Sequence, residues 1–287
     1  MNSPSRILRI SCLQVTAGND LDENVQAALE LVDQSVAAGA DFVLMPENVT
    51  MMEWGRKAII SKAQRETDHK GLAAFQECAQ RHGIWIHTGS LSISLDDGRV
   101  ANRTYVLNDK GEVAAQYDKI HMFDVDLGGG ERYAESSTFA PGDKAVVVDL
   151  PWGRLGLTIC YDLRFPSLYR NLGKAGAEII AVPSAFTQVT GDAHWHVLLR
   201  ARAIETGSFI VAPAQTGSHP GDRKTFGHAL IIDPWGRVIA DAGTEPGFKS
   251  AEIDLSQVEK VRKRMPSLSH DRQFEALSEK MILTAEK

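Results

Sequence analysis

The chain has 287 residues, 43% hydrophobic and 24% charged, with a formal net charge of -6. That is the composition of a globular chain of one large or two ordinary domains, and the acidic balance argues against a nucleic-acid partner, whose phosphates need a basic face. No apolar run approaches bilayer-spanning length, so no membrane partner is expected, and residues 1–6 lack the apolar core of a secretory signal. Cys12, Cys78 and Cys160 form neither a disulfide framework nor a metal-spaced cluster, which with the missing export signal points to the reducing cytoplasm.

Hydrophobic periodicity predicts strands alternating with helices. Residues 7–15 read as a buried strand; Val25, Ala28, Leu29, Val32 and Val36 then fall at helical spacing until Gly39. A short strand over 42–45 precedes a helix over 67–82 that Gly83 ends. Strands are expected at 84–93, 104–108 and 112–117, with Asn108-Asp109-Lys110-Gly111 as a turn between the last two. Residues 119–142 show no period and read as a long irregular segment, which is uncommon in a loop without a function. Alternation resumes with strands at 145–150 and 155–160, a helix near 165–172, a strand at 179–182, a helix at 193–204 and a strand at 209–212. Residues 229–233 and 238–240 form a hairpin around Pro234-Trp235-Gly236, and a last helix starts near Leu255. The 193–204 helix takes Val197, Ala201 and Ile204 as its apolar stripe, flanked by Arg200 and Arg202, and pairs Arg202 with Glu205.

One unit occurs twice. Ala38-Gly39-Ala40-Asp41-Phe42-Val43-Leu44-Met45-Pro46 matches Ala175-Gly176-Ala177-Glu178-Ile179-Ile180-Ala181-Val182-Pro183. Two similar α/β halves side by side explain the echo; the alternative is the general preference of helix-to-strand turns for Ala-Gly. No linker composition separates the halves, so residues 1–287 read as a single domain. Strands apolar on both sides require helices on the outer faces.

Three ionisable residues follow strands: Glu47 after Leu44-Met45-Pro46, Lys119 after Gln116-Tyr117-Asp118, and Cys160 at the close of Leu155-Gly156-Leu157-Thr158-Ile159. Open α/β sheets place ligands outside the carboxyl ends of their strands. Singly, each has a structural explanation: a helix N-terminal charge, a solvated lysine, a core thiol. Together they suggest one site.

The blocks Leu44-Met45-Pro46-Glu47-Asn48, Tyr117-Asp118-Lys119-Ile120-His121-Met122-Phe123-Asp124 and Cys160-Tyr161-Asp162-Leu163-Arg164-Phe165-Pro166 resemble the three signatures of the nitrilase (carbon–nitrogen hydrolase) superfamily. The resemblance implies a four-layer αββα sandwich of two similar halves. It implies Glu47 as general base, Lys119 as stabilising cation and Cys160 as nucleophile. Glu135 is carried over as a second acidic residue, with Glu131 its competitor. Pro183-Ser184-Ala185-Phe186-Thr187, residues 190–196 and 199–206, and Gly227-His228-Ala229 through Asp233-Pro234-Trp235-Gly236 resemble the Nit subgroup, most of all its deaminated-glutathione amidases. The implied activity is hydrolysis of a small carboxylated amide through a thioester, with release of ammonia; ω-amidase, N-carbamoyl amidase and nitrilase are the alternatives, and a silent interaction protein the non-enzymatic one. A homodimer or larger homo-oligomer is also implied. Residues 254–287, basic and amphipathic where 261–274 begin, are expected either to pack on that interface or to cover their own sheet.

The chemistry suits these residue types. A thiolate attacks a carbonyl, and Lys119 and the helix near Phe165 are expected to lower the thiol pKa. Glu47 moves the proton to the leaving amine, while Lys119 and the Tyr161 N–H stabilise the oxyanion. Neither metal nor cofactor is expected. Tyr161, Arg164, Phe123, Phe186 and Thr187 are the candidate substrate-binding residues, Arg164 either for a substrate carboxylate or for a surface or interface ion pair, and Gly128-Gly129-Gly130 reads as a lid hinge or as relief of a turn.

Overall fold

Alternation in sequence becomes alternation in space. The computed structural model describes residues 6–128 and 131–274, so Gly129 and Gly130 of the expected hinge, residues 1–5 and the end of the C-terminal stretch lie outside the described residues. The chain runs β1 (Ile7–Val15), α1 (Leu21–Ala37), β2 (Phe42–Leu44), α2 (Arg56–Lys62), α3 (Lys70–His82), β3 (Trp85–His87), β4 (Leu91–Ser94), β5 (Val100–Leu107) and β6 (Val113–Asp118). A hairpin of β7 (Asp124–Asp126) and β8 (Arg132–Ala134) and the short β9 (Phe139–Ala140) lead to β10 (Val146–Asp149), β11 (Arg154–Leu157), α4 (Pro166–Lys174), β12 (Ile179–Ala181), α5 (Gln188–Thr206) and β13 (Phe209–Ala212). Then come β14 (Ala214–Ser218), β15 (Lys224–Phe226), β16 (Leu230–Ile232), β17 (Val238–Asp241), β18 (Gly247–Asp254) and α6 (Ser256–Arg264).

In the first sheet β1, β2 and β3 are parallel, β5 opposes β3 and β6 opposes β5. β6 therefore runs with β2, and the residues after both emerge at the same edge. In the second sheet β11, β12 and β13 are parallel, with antiparallel β10 on one side and the β16–β17 hairpin on the other. Beyond Pro213 the chain passes from the second sheet into the first, where β14 joins β1.

Strand period 2 sorts the side chains into layers. Leu8, Ile10 and Cys12 of β1 and Phe42 and Leu44 of β2 meet Leu155, Leu157 and Ile179 between the sheets. Leu13, Val15, Val43 and Met45 point the other way, onto Val25, Ala28 and Val32 of α1 and Phe75 of α3. Leu168, Leu172, Trp195 and Leu199 of α4 and α5 cover the second sheet. The result is the expected αββα sandwich. The echo maps residue onto residue: Gly39 and Gly176 have φ of 89° and 91°, and each lies against an arginine of the preceding strand, Arg9 or Arg154. Asp41 and Glu178 each donate their backbone N–H to that arginine's carbonyl oxygen, both at 2.8 Å.

Several expectations change. The strand expected over 84–93 is broken at Thr88-Gly89-Ser90, where Gly89 takes φ 67°. The irregular segment 119–142 contains the β7–β8 hairpin, and α2, β14, β15 and β18 form where the sequence pattern predicts no element. Helix α5 starts earlier, at Gln188, and Val197 and Ile204 of its expected stripe are exposed (67% and 53%). Its buried face is Trp195, Leu199, Arg202, Ala203 and Thr206. Arg202 tolerates burial because its Nε and Nη2 donate to the Leu163 carbonyl at 3.0 and 2.8 Å and its Nη1 to Glu205 at 2.9 Å, the expected ion pair.

Gly89 constrains the turn after β2. A Cβ there would lie 2.0 Å from the Pro46 carbonyl oxygen, next to Glu47. Gly89→Ala is expected to cost at least about 3 kcal/mol, combining backbone strain with overpacking. Urea denaturation checks this; a loss below about 1 kcal/mol would show that the turn relaxes freely.

Candidate active site

Glu47 sits in the turn after β2, with its backbone carbonyl accepting from Gln215 Nε2 at 3.0 Å. The residue is 2% exposed, and both carboxylate oxygens are used. Oε1 accepts from Asn102 Nδ2 at 2.9 Å and Lys119 Nζ at 3.0 Å, and Oε2 from the Ala185 N–H at 2.9 Å. Lys119, also 2% exposed, follows β6, and its own N–H donates to the Asn102 carbonyl at 3.0 Å. Its ammonium reaches Glu135 Oε1 and Oε2, both at 2.9 Å. Glu135 opens a short 3-10 turn after β8 and accepts the Phe123 N–H at 2.6 Å. Glu131 instead accepts from Tyr133 Oη at 2.8 Å, so Glu135 is the acidic residue that joins Glu47 and Lys119.

Cys160 is not the last residue of its strand. β11 ends at Leu157, and Cys160 opens a 3-10 turn, Cys160–Arg164, with φ 48°. A positive φ is uncommon in a residue with a side chain and persists only where the surroundings enforce it. Here the Cys160 N–H donates to the Pro183 carbonyl at 3.0 Å, and Asp162 ties the turn from inside. The Asp162 carboxylate, fully buried, accepts from the Ile159 N–H at 2.8 Å, Tyr117 Oη at 2.7 Å, and the His121 N–H and Nδ1 at 3.1 and 2.7 Å. One side chain thereby joins the turn of the second sheet to the Lys119 segment of the first. The thiol faces the Glu47 carboxylate and the Ala185 N–H.

The electrostatics follow from burial and three charges. Burial acts to raise the Glu47 pKa, but Lys119, then Arg223, hold it below the usual carboxylate range. Burial acts to lower Lys119, and Glu135 and Glu47 more than reverse this, so it stays an ammonium. Burial and then the Glu47 charge push the Cys160 thiol well up, against the lowering by Lys119. The lowered thiol pKa expected from the sequence is therefore corrected: the ammonium is already balanced by two carboxylates, and α4 begins only at Pro166. The free site holds a carboxylate and a neutral thiol side by side.

These residues floor a cavity of about 300 Å³. Tyr161, Phe123, Phe186 and Thr187 line it, as do Trp54 and Tyr133. Arg164 does not: its guanidinium lies over the Phe186 and Tyr161 rings, at 5.3 and 5.9 Å, and next to His194 Nδ1 at 3.3 Å. Arg56, Arg132 and Arg223 supply the cavity's guanidinium groups instead, and among the described residues none is in ion-pair contact with a carboxylate, although the charge of Arg223 lowers Glu47. Arg223 donates to the Ala185 carbonyl at 2.6 Å and lies over the Tyr133 ring at 5.4 Å, with its buried Nε unpartnered. Nothing in the local sequence marks Arg223 or Asn102; Tyr117, His121 and Asp162, by contrast, stand inside the recognised blocks.

Residues 9–263 match the family model described as carbon-nitrogen hydrolase. The chain is 43% identical to the deaminated glutathione amidase of Synechocystis sp., covering 91% of this chain and 96% of that one. It is 40% identical to the Yersinia enterocolitica protein of the same name, covering 92% of each. The crystal structure of the Caenorhabditis elegans NitFhit protein superposes with a TM-score of 0.87 at 38% identity, over 93% of this chain and 65% of that one.

Removing the cation should expose the cost of this charge cluster. Lys119→Ala leaves the buried Glu47 and the half-buried Glu135 without their ammonium and is expected to cost about 3–5 kcal/mol. The pH dependence should weaken as well. In the native protein the folded pKa of Glu47 is lowered, so its contribution is complete above the unfolded value of about 4.3 and fades as pH falls through the lower folded value. In the variant only Arg223 and the remaining hydrogen bonds oppose burial, so the folded pKa of Glu47 lies higher than in the native protein and stability gains less as pH rises through it. Urea midpoints from pH 4 to 8 report this; parallel curves for the two proteins would refute the pairing.

Proposed function

The chain belongs to the carbon–nitrogen hydrolase family, and from that premise we propose that it is a cysteine-dependent amidase acting on deaminated glutathione. The observation that carries the reading is a cavity with Glu47, Lys119 and Cys160 at its floor and, in its wall, arginines that contact no carboxylate among the described residues. The relatives named as deaminated glutathione amidases support the substrate, and its two carboxylates suit guanidinium groups, which bind carboxylates through paired N–H donors.

In the proposed reaction Sγ of Cys160 attacks the amide carbon while Glu47 takes the thiol proton. The carbonyl electrons move to oxygen, which Lys119 and the Tyr161 N–H stabilise. Glu47 returns the proton to nitrogen as the C–N bond breaks, leaving a thioester. Water then attacks the thioester carbon and gives its proton to Glu47, and as the C–S bond breaks Glu47 passes that proton to the sulfur, restoring the thiol and its own carboxylate. Glu135 holds Lys119 in place and charged throughout. The leaving group depends on the substrate. In deaminated glutathione the amide nitrogen belongs to the cysteinyl residue, so 2-oxoglutarate and cysteinylglycine form. The ammonia expected from sequence leaves only when the amide is primary.

Incubation with deaminated glutathione, 2-oxoglutaramate and simple nitriles, each followed by product chromatography, tests the reading. Deaminated glutathione should have the highest kcat/KM, and Cys160→Ala should abolish turnover. Preference for 2-oxoglutaramate would make it an ω-amidase, activity on nitriles alone would end the amidase reading, and carbon dioxide among the products would identify a carbamoyl substrate. Arg223→Gln should lower kcat/KM on the carboxylated substrate by about tenfold or more, the worth of one charge-assisted hydrogen bond. Unchanged kinetics would remove Arg223 from substrate recognition.

A further inference from the structure

Away from the active-site cavity, two trios of ligating side chains converge among the described residues: Asp33, Cys78 and His82 between α1 and α3, and His196, His228 and Asp241 between α5, the segment before β16 and the end of β17. Their surroundings differ. Arg81 Nη2 enters the first trio, 3.2 Å from Asp33 Oδ1, 3.4 Å from His82 Nε2 and 3.8 Å from Cys78 Sγ. A guanidinium already occupies the place of a cation there, and its charge would repel a second. No lysine or arginine among the described residues hydrogen-bonds or ion-pairs with any member of the second trio, where Asp241 meets only the two imidazoles and the Gly243 N–H.

We propose that His196, His228 and Asp241 form a binding site for one divalent ion of the zinc class. His196 Nε2 lies 3.2 Å from Asp241 Oδ2, and His228 Nδ1 lies 2.9 and 3.1 Å from Oδ1 and Oδ2. Neighbouring ligands on a tetrahedral ion with bonds of about 2.0–2.1 Å stand about 3.3 Å apart. The histidine–carboxylate separations already match that spacing, and all three donor atoms lie within 4.8 Å of one another. Binding needs each imidazole in the tautomer that carries its proton on the other nitrogen. Two imidazoles and one carboxylate suit zinc over the harder magnesium or calcium, which favour all-oxygen sets.

The ligands are held from outside. Asp241 Oδ1 accepts the Gly243 N–H at 2.8 Å, and the Phe226 ring stacks on His228 with centroids 4.6 Å apart. The His228 backbone is pinned on both sides, its N–H donating to the Gly243 carbonyl at 2.7 Å and its carbonyl accepting from Trp195 Nε1 at 2.8 Å. Side-chain exposures of 35%, 25% and 34% leave an open route for an ion and room for a water as fourth ligand. Sequence spacing hid the trio, since His196 and His228 stand 45 and 13 residues from Asp241.

Titration of the chelator-stripped full chain with zinc chloride by calorimetry tests the site, in a Cys160→Ala background to remove competition from that thiol. One ion per chain with a micromolar or tighter Kd is expected. His196→Gln and Asp241→Asn should each weaken binding by at least about 30-fold, whereas His82→Gln should not change it. Cobalt in place of zinc should give the visible absorption of a four-coordinate ion. Amide hydrolysis by His196→Gln with Cys160 intact, or its circular dichroism if no substrate is turned over, reports that the variant is folded. No stoichiometric binding, binding unchanged in both site variants, or binding lost in His82→Gln would overturn the proposal.

Discussion

A single ammonium buried between two carboxylates organises the centre of this molecule. Removing an ion from water costs several kcal/mol even after relaxation, and only close pairing with satisfied hydrogen bonds offsets that. Lys119 meets the condition by contacting Glu47 and Glu135, and Glu47 by accepting from Asn102, Lys119 and the Ala185 N–H. These groups come from the ends of β2, β6 and β12, from β5, and from the turn after β8. The sandwich has to bring five separate segments together before the charges balance, so the position of each strand end is an electrostatic requirement as much as a packing one.

Asp162 performs the matching task between the sheets. It stands two residues beyond Cys160 and draws in Tyr117 and His121, which flank Lys119. The carboxylate that closes the turn around the sulfur therefore also fixes the strand end that carries the ammonium. Arg202 holds the far side of the turn through the Leu163 carbonyl. With the turn tied at Ile159, Cys160 and Leu163, the positive φ of Cys160 is enforced by several hydrogen bonds rather than by any one of them.

The layers, the paired halves and the grouping of Glu47, Lys119 and Cys160 were legible in the sequence because each rests on local pattern: apolar alternation, the repeated Ala-Gly turn and long motif blocks; Glu135 lies outside those blocks, and only the fold separates it from Glu131. Misreadings arose where tertiary contacts override local chemistry. Arg202 is polar by composition, yet it is buried because a carbonyl and a ring await it, and this turned the α5 stripe around. Arg164, inside the recognised block, is drawn onto Phe186 and away from the cavity, while Arg223 enters from a loop no motif marks. The Gly89 break was hidden because its cause, the Pro46 carbonyl, lies more than forty residues earlier in the chain.

The state of the sulfur gives these constraints a chemical consequence. A thiolate is the form that oxidants and electrophiles attack, so a cysteine kept ionised at rest is reactive toward both. Here the field of Lys119 is taken up by two carboxylates, and burial together with Glu47 keeps the thiol protonated. On the proposed mechanism the nucleophile then exists only while Glu47 is accepting its proton, and that transfer is favourable only when a carbonyl carbon is present to take the electron pair. As the oxyanion forms it becomes a further negative partner for Lys119, and protonation of Glu47 removes one of the old ones. The net charge around the ammonium thus stays nearly constant through the attack, so the buried cluster is stable in both the resting and the tetrahedral states and no large rearrangement is needed between them.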